Sequence, residues 1–268
     1  MTLLDARNLC LDVPDMAQQV VFGRRRAIRI LRNVNIAIDR GETVGIVGES
    51  GSGKTSLGRT LLRLHEPSAG ELRFDGADIT HLPHAGMKPV RRRMQMIFQD
   101  PQSSLNPRQT IGRILAMPLK VHGLPCSESI IAGILERVGL PLSAIGRYPH
   151  QISGGQRQRV GIARAISLKP DFVVADEIVS GLDASTQAQV LDLLKGLKDE
   201  FKMALAFISH DLSVVRHICD RVVIMREGAI IEAGRTADIF NAPAEDFTKT
   251  LISAIPLPQP DPGWLWRD

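Results

Sequence analysis

Apolar positions along this chain follow two periods, and their alternation predicts short strands interleaved with helices. Leu31 to Asp39 alternates through Val34, Ile36 and Ile38, the period of a half-buried strand. Glu42 to Val47 follows as a short buried strand, and Leu57, Leu61 and Leu64 then recur at i, i+4 and i+7, one face of a helix. Leu72 and Phe74 alternate ahead of Asp75-Gly76, a strand-and-turn signal. Met94 to Phe98, Asp171 to Asp176 and Met203 to Ser209 read as further apolar strands. Val222 to Met225 and Ala229 to Glu232 flank Arg226-Glu227-Gly228 as a closing hairpin. Helical stripes run through Ile130, Ile131, Ile134, Leu135 and Val138 (opened by Ser127, closed by Gly139), through Val160, Ile162, Ala163 and Ile166, and through Val190, Leu193, Leu194 and Leu197. Residues 1–13 read as a strand, followed by an irregular stretch through Arg29. The whole predicts an α/β chain with an antiparallel sheet beside a parallel one. A turn-rich helical region from about residue 100 to 155 is inserted between strands.

Composition changes little of that picture. The 268 residues are 44% hydrophobic and 23% charged, ordinary for a globular chain able to bury a sizeable core. The net charge is +4, and two runs, Arg24-Arg25-Arg26 and Arg91-Arg92-Arg93, carry much of it. A solvated face explains both runs, as does an acidic partner or a lipid headgroup. Neither run is interleaved with aromatics, which argues against nucleic acid. Cys10, Cys126 and Cys219 stand far apart in no metal spacing and read as free thiols in a reducing compartment. Met1 to Leu11 is broken by Asp5 and Arg7 and does not read as a signal peptide. No apolar run approaches the length of about 18 residues that a membrane crossing needs.

The candidate chemistry centres on Gly48-Glu49-Ser50-Gly51-Ser52-Gly53-Lys54-Thr55, placed between a strand and a helix. Glycines there let backbone N–H groups turn inward, and the helix start adds unpaired donors, so the stretch suits a nucleotide phosphate chain. Lys54 would reach the β- and γ-phosphates and the Thr55 hydroxyl would hold Mg²⁺. An apolar strand ending in Asp176-Glu177 is the second strong signal: Asp176 suits Mg²⁺, and Glu177 suits activation of water. Gln99, at a strand end, is either a contact to Mg²⁺ or the attacking water, or a surface residue. Ser153-Gly154-Gly155-Gln156 opens a helix, either as a plain cap or as a second anion-binding N-terminus. His210 follows a strand at the same sheet edge, where it contacts a γ-phosphate or serves structure alone.

Taken together and in this order, the motifs resemble the ATP-binding subunits of ABC transporters across nearly the whole chain. The phosphate loop resembles Walker A, Gln99 the Q-loop, Ile152 to Gln156 the signature motif, Phe172 to Glu177 Walker B, Ser180-Gly181-Leu182-Asp183 the D-loop and His210 the H-loop. Phe98 to Arg108, Arg147-Tyr148-Pro149-His150, Ser253-Ala254-Ile255-Pro256 and Pro260-Asp261-Pro262 are similar to the peptide and nickel uptake branch, most of all to the second ATPase subunit of dipeptide and oligopeptide importers. Ile152, Ile178 and Gly181 stand where that family usually has leucine, proline and alanine. This chain carries no aromatic in the N-terminal strand where that family stacks one on adenine, and Phe22 is the candidate substitute.

The resemblance implies an ABC-type P-loop NTPase fold: a RecA-like parallel core, an antiparallel β subdomain and a helical subdomain inserted at about 100–158. The ATP-binding domain would span 1–255, with a proline-rich tail at 256–268. It implies ATP and Mg²⁺ as ligands, with Glu177, His210, Gln99 and Lys54 in catalysis. Gly48 to Ser56, Ser153 to Gln156 and Asp183 would contact nucleotide, and Thr55, Gln99 and Asp176 would hold the metal. Implied partners are two membrane-spanning permease subunits, a second ATPase subunit (a paralogue or a second copy) and an extracytoplasmic solute-binding protein. The implied location is peripheral, on the cytoplasmic face of the inner membrane. No iron–sulfur cluster is expected, because Asp268 is reached without the cysteines some relatives carry. The implied function is ATP-driven import of di- and oligopeptides, with nickel or another peptide-like solute as the alternative and a non-transport ABC ATPase behind it.

Overall fold

Parallel strands with both faces buried form the centre of the molecule, as their unbroken apolar runs require. The computed structural model describes residues 1–14 and 27–255, without the side chains of 101 and 102. In chain order the elements are β1 (Thr2–Pro14), β2 (Ala27–Asp39), β3 (Thr43–Val47), α1 (Lys54–Leu61), β4 (Ala69–Phe74), β5 (Ala77–Asp78), α2 (His84–Arg93) and β6 (Met94–Ile97). Helices α3 (Pro101–Ser104), α4 (Ile111–Val121) and α5 (Glu128–Arg137) follow, then α6 (Gly154–Ile166), β7 (Phe172–Asp176), α7 (Ala184–Phe201) and β8 (Ala204–Ile208). The chain continues through α8 (Leu212–Ile218), β9 (Arg221–Arg226), β10 (Ala229–Arg235), α9 (Thr236–Asn241) and α10 (Asp246–Ser253).

Two sheets result. The larger has the order β10-β9-β3-β8-β7-β6, parallel except where β10 returns beside β9; the smaller is antiparallel, in the order β2-β1-β4-β5. Alternation along the central strands sends side chains into two cores. Phe172 and Val174 join Ile46, Ile208 and Val223 in the core that also takes Leu57 and Leu61 of α1 and the inner face of the small sheet. Val173 and Ala175 join Leu205, Phe207 and Ile224 in the other, against Val160 of α6, Val190 of α7 and Val215 of α8. Phe172 and Phe207 are fully buried on opposite faces, and truncating either to alanine should cost about 3–5 kcal/mol.

Register then fixes the working edge. Ile46 of β3, Ile208 of β8 and Asp176 of β7 lie in line across three neighbouring strands. The segments just beyond them therefore emerge side by side at the carboxyl ends of a parallel sheet, where open α/β sheets bind ligands.

Two boundaries differ from the sequence expectation. The second strand begins at Ala27, because β1 pairs with it down to Pro14↔Ala27, so residues 27–29 belong to a ladder and not to an irregular stretch. Helix α1 ends at Leu61, and Arg63 turns the chain with φ 53, so Leu64 leaves the helical stripe and is 48% exposed. Helix α6 runs unbroken from 154 to 166. Arg24-Arg25-Arg26, Phe22 and the tail at 256–268 lie outside the described residues.

Candidate active site

The phosphate loop is shaped by close backbone packing. A Cβ at Gly48 would come within 2.2 Å of the Met225 carbonyl and 2.7 Å of Ser52 Oγ, so only glycine fits there. Gly53 stands at the N-cap of α1 with no side-chain cap, leaving the first amides of the helix open toward the loop. Ser52 Oγ is buried in the cradle without a hydrogen-bond partner among the described residues. Lys54 lies across the loop, its Nζ donating to the Gly48 and Glu49 carbonyls at 2.7 Å each. Burial pulls the Lys54 ammonium below its ordinary range, with Glu177 and Asp176 opposing that shift. Inward amides, an orphan hydroxyl and a buried ammonium suit a polyphosphate.

Residues far apart in sequence meet beside that cradle. Thr55 Oγ1 donates to Asp176 Oδ1 at 3.0 Å, joining α1 to the end of β7. Asp176 is only 2% exposed, and burial pushes its carboxyl above the usual range despite the Thr55 hydrogen bond. A cation beside it would relieve that cost. Among the described residues no group of three or more His, Cys, Asp or Glu forms a metal site by itself. A hydroxyl with one carboxylate is instead the sparse oxygen set that suits Mg²⁺ completed by phosphate and water.

Glu177 comes next in the chain, with a left-handed φ of 46 and its amide held by the Ile208 carbonyl at 2.9 Å. A non-glycine residue in this region costs free energy and persists only when its surroundings enforce it. The turn aims the carboxylate across the sheet edge. Gln99 Nε2 donates to Glu177 Oε2 at 2.9 Å, and His210 Nδ1 stands 3.5 Å from the same oxygen. His210 is mostly exposed, whereas the Glu177 side chain is mostly covered. Lys54, Thr55, Gln99, Asp176, Glu177 and His210 thus lie together at one sheet edge.

Ser153 to Gln156 and Asp183 lie apart from it. Ser153 caps α6, its Oγ accepting from the Gln156 amide at 3.2 Å while Gln156 Oε1 accepts from the Ser153 amide at 3.1 Å. Asp183 caps α7, accepting from the Thr186 amide and hydroxyl at 2.9 and 2.7 Å. Both caps edge an open hollow of about 390 Å³, and Gly181 and Leu182 separate it from a smaller one bounded by Glu177 and His210. No hydrogen bond among the described residues ties this second anion-shaped N-terminus to the phosphate loop. Within one chain the two halves remain separate.

One supporting residue carries no chemical signal in the sequence. Gly228, in the β9–β10 turn, donates its amide to the Ser52 carbonyl at 3.0 Å and accepts from the Arg32 amide at 2.8 Å. The sequence marks a turn there, and only the fold places that turn against the phosphate loop.

Comparison with known proteins agrees with this geometry. The ABC transporter family profile matches residues 31–180. A Brucella ovis protein provisionally named a peptide import ATP-binding protein is 52% identical over 241 residues, covering 89% of this chain and 76% of the relative. The oligopeptide transport ATP-binding protein AppF of Bacillus subtilis is 46% identical over 234 residues, covering 86% and 71%. Among solved structures, a dimeric ATP-binding cassette in a post-hydrolysis state bound to ADP and Pi superposes with a TM-score of 0.77 at 28% identity, covering 87% of this chain and 99% of that one.

Proposed function

This chain belongs to the ABC transporter family of ATP-binding subunits, and from that premise we propose that it hydrolyses ATP to energise the import of di- and oligopeptides. The carrying observation is the Thr55–Asp176 hydrogen bond beside the Gln99–Glu177 contact, which joins a phosphate cradle to a poised carboxylate. The cargo class rests on relatives named for peptide, oligopeptide and dipeptide transport.

In this reading ATP lies along Gly48 to Ser56, with loop amides and Lys54 on its phosphates. Thr55, Asp176 and Gln99 would hold Mg²⁺, which would supply neutralisation of phosphate charge. Glu177 orients and deprotonates the attacking water, and Gln99 and His210 report on the γ-phosphate. Catalysis is then mainly positioning and charge stabilisation. The separated second site supports a head-to-tail pair, in which Ser153, Gly154, Gly155 and Asp183 of one subunit close over ATP held by the other. A paralogue or a second copy could fill the partner position. The resemblance to the second subunit of peptide importers favours a paralogue.

The segment after Gln99 would carry this motion to two permease subunits, supplied with cargo by an extracytoplasmic binding protein. Arg164 of α6 supports that link: its guanidinium lies 5.6 Å from the Phe98 ring centroid and donates to the Ser104 carbonyl. It thereby couples the helix that Ser153 caps to both sides of Gln99. No helix among the described residues is long and apolar enough to cross a membrane. Peripheral attachment at the cytoplasmic face of the inner membrane accommodates that observation.

The test is uptake by cells lacking the gene, complemented with wild type or Glu177→Gln, using labelled peptides and ⁶³Ni²⁺ in parallel. Peptide uptake restored by wild type alone supports the proposal. Nickel uptake alone keeps the machine and changes the cargo, and no response to either removes both cargo claims.

A further inference from the structure

The Arg91-Arg92-Arg93 run divides among three environments. Arg91 meets the His84 ring at 3.0 Å. Arg93 is neutralised by Asp75 and Asp171 and lies over Phe74. Arg92 has no carboxylate partner among the described residues, and neither has Lys88, one helical turn earlier on the same face of α2. Helix charge complementarity explains arginines in the last turn of α2. It does not explain Lys88, since a like-charged pair at i,i+4 weakens a helix.

Both side chains border a cavity of about 550 Å³, together with Arg93, His122 at the C-cap of α4, and Lys169 on the connection from α6 to β7. Among the described residues Lys169 is likewise unpaired and no acidic residue lines the cavity. Burial, with Lys88 and Arg92 nearby, pushes the His122 imidazole below its ordinary value. Its volume falls in the range of small-ligand sites. Strand β7, about 16 Å long, separates the Lys169 end from Glu177, so this is not the ATP cradle.

We propose that this cavity binds a phosphate-bearing anion, with Lys88, Arg92 and Lys169 as the charged contacts and His122 as a further hydrogen-bonding group. Three cations, unpaired among the described residues and converging from two segments on an open hollow, suit a multiply charged, multi-oxygen group. Lys88 and Lys169 supply point charges and Arg92 a planar fork that fits phosphate oxygens. A soluble phosphorylated solute and a phospholipid headgroup present the same chemistry.

The test uses the full chain with its phosphate loop saturated by a non-hydrolysable ATP analogue. Sodium pyrophosphate is titrated calorimetrically at low salt. In parallel, the protein is sedimented with phosphatidylcholine vesicles with and without about one-third phosphatidylglycerol. The expected result is binding to pyrophosphate, which assigns a soluble ligand, or to the anionic vesicles alone, which assigns a headgroup. In either case Lys88→Ala with Arg92→Ala should weaken binding by about tenfold or more, and Lys88→Arg should retain it. Analogue affinity and Tm should stay unchanged. Wild-type His122 ring resonances should shift on adding the binding probe, which localises the site without any variant. Binding of neither probe, equal binding by the double variant, or unmoved His122 resonances overturns the proposal.

Discussion

Gln99 donates a hydrogen bond to Glu177 at 2.9 Å, and through it the end of β6 restrains the residue that follows β7. The same carboxylate oxygen faces His210 at 3.5 Å, so one acidic group is held from two sides at the mouth of the phosphate cradle. Glu177→Gln removes the base while keeping the shape and at least one of these contacts. Steady-state ATP hydrolysis should fall by about 10²–10⁴-fold, with ATP binding retained. The ATP-bound variant should also hold the closed pair with its partner ATPase subunit, seen in size-exclusion chromatography of this chain alone (second copy) or mixed with the paralogue. Near-normal turnover by this variant would remove Glu177 from the chemistry.

Asp176 gives a prediction with a definite pH sign. Burial raises its folded pKa above the unfolded value, so the protonated carboxyl fits the ligand-free fold better than the ionised one. The stability this group contributes is complete below the unfolded carboxylate pKa and is lost as pH rises through the folded one. The difference in Tm between Asp176→Asn and ligand-free wild type should therefore move in the variant's favour from acid to neutral pH. The change should be about 2–4 °C for each kcal/mol involved. Mg·ATP at a hundredfold excess over Kd should stabilise wild type by about 2.7 kcal/mol and the variant by much less. Differential scanning calorimetry across that pH range, with and without Mg·ATP, checks both effects.

The legibility of the sequence followed the range of each interaction. Phe172 to Asp176 is a short, unbroken apolar run that suits a buried strand, and the loop spacing before Lys54 suits a phosphate cradle. Local patterns therefore carried the parallel sheet and pointed to the residues that the fold gathers at its edge. Pairing partners were harder. Nothing in Ala27-Ile28-Arg29 declares a strand until β1 lies beside it, and Leu64 keeps helical spacing after Arg63 has ended the helix. Asp183 read as a site residue, while its capping contact with Thr186 emerged only from the local geometry. The left-handed turn at Glu177 was invisible because that conformation is imposed by neighbouring strands and not by glutamate itself.

Ser153 both caps α6 and stands where a partner's ATP would meet it, and two substitutions separate these roles. Ser153→Ala removes the acceptor for the Gln156 amide and should cost about 1 kcal/mol, seen as a lower Tm. Ser153→Asp keeps a cap and adds favourable charge at the helix start, so Tm should hold. Hydrolysis should nevertheless fall by about tenfold or more, because a carboxylate would face the γ-phosphate in the closed pair. A fully active Ser153→Asp protein would leave this serine as a cap alone.

Gly228 and Gly76 form a matched pair of hairpin-turn glycines, with φ of 83 and 79. Alanine at either is strained by its backbone, at about 1–3 kcal/mol. Their surroundings differ. A Cβ at Gly76 would meet nothing within 4 Å, whereas one at Gly228 would lie 2.2 Å from the Ile30 carbonyl. Relief of that clash must shift a turn whose amide holds the Ser52 carbonyl and whose carbonyl holds the Arg32 amide. Gly228→Ala should therefore lower Tm more than Gly76→Ala and raise the Kd for ATP several-fold, while Gly76→Ala leaves that Kd unchanged. Thermal melts and fluorescent-nucleotide titrations of the two variants check this directly. Equal ATP affinities would mean that the phosphate loop holds its shape without the turn behind it.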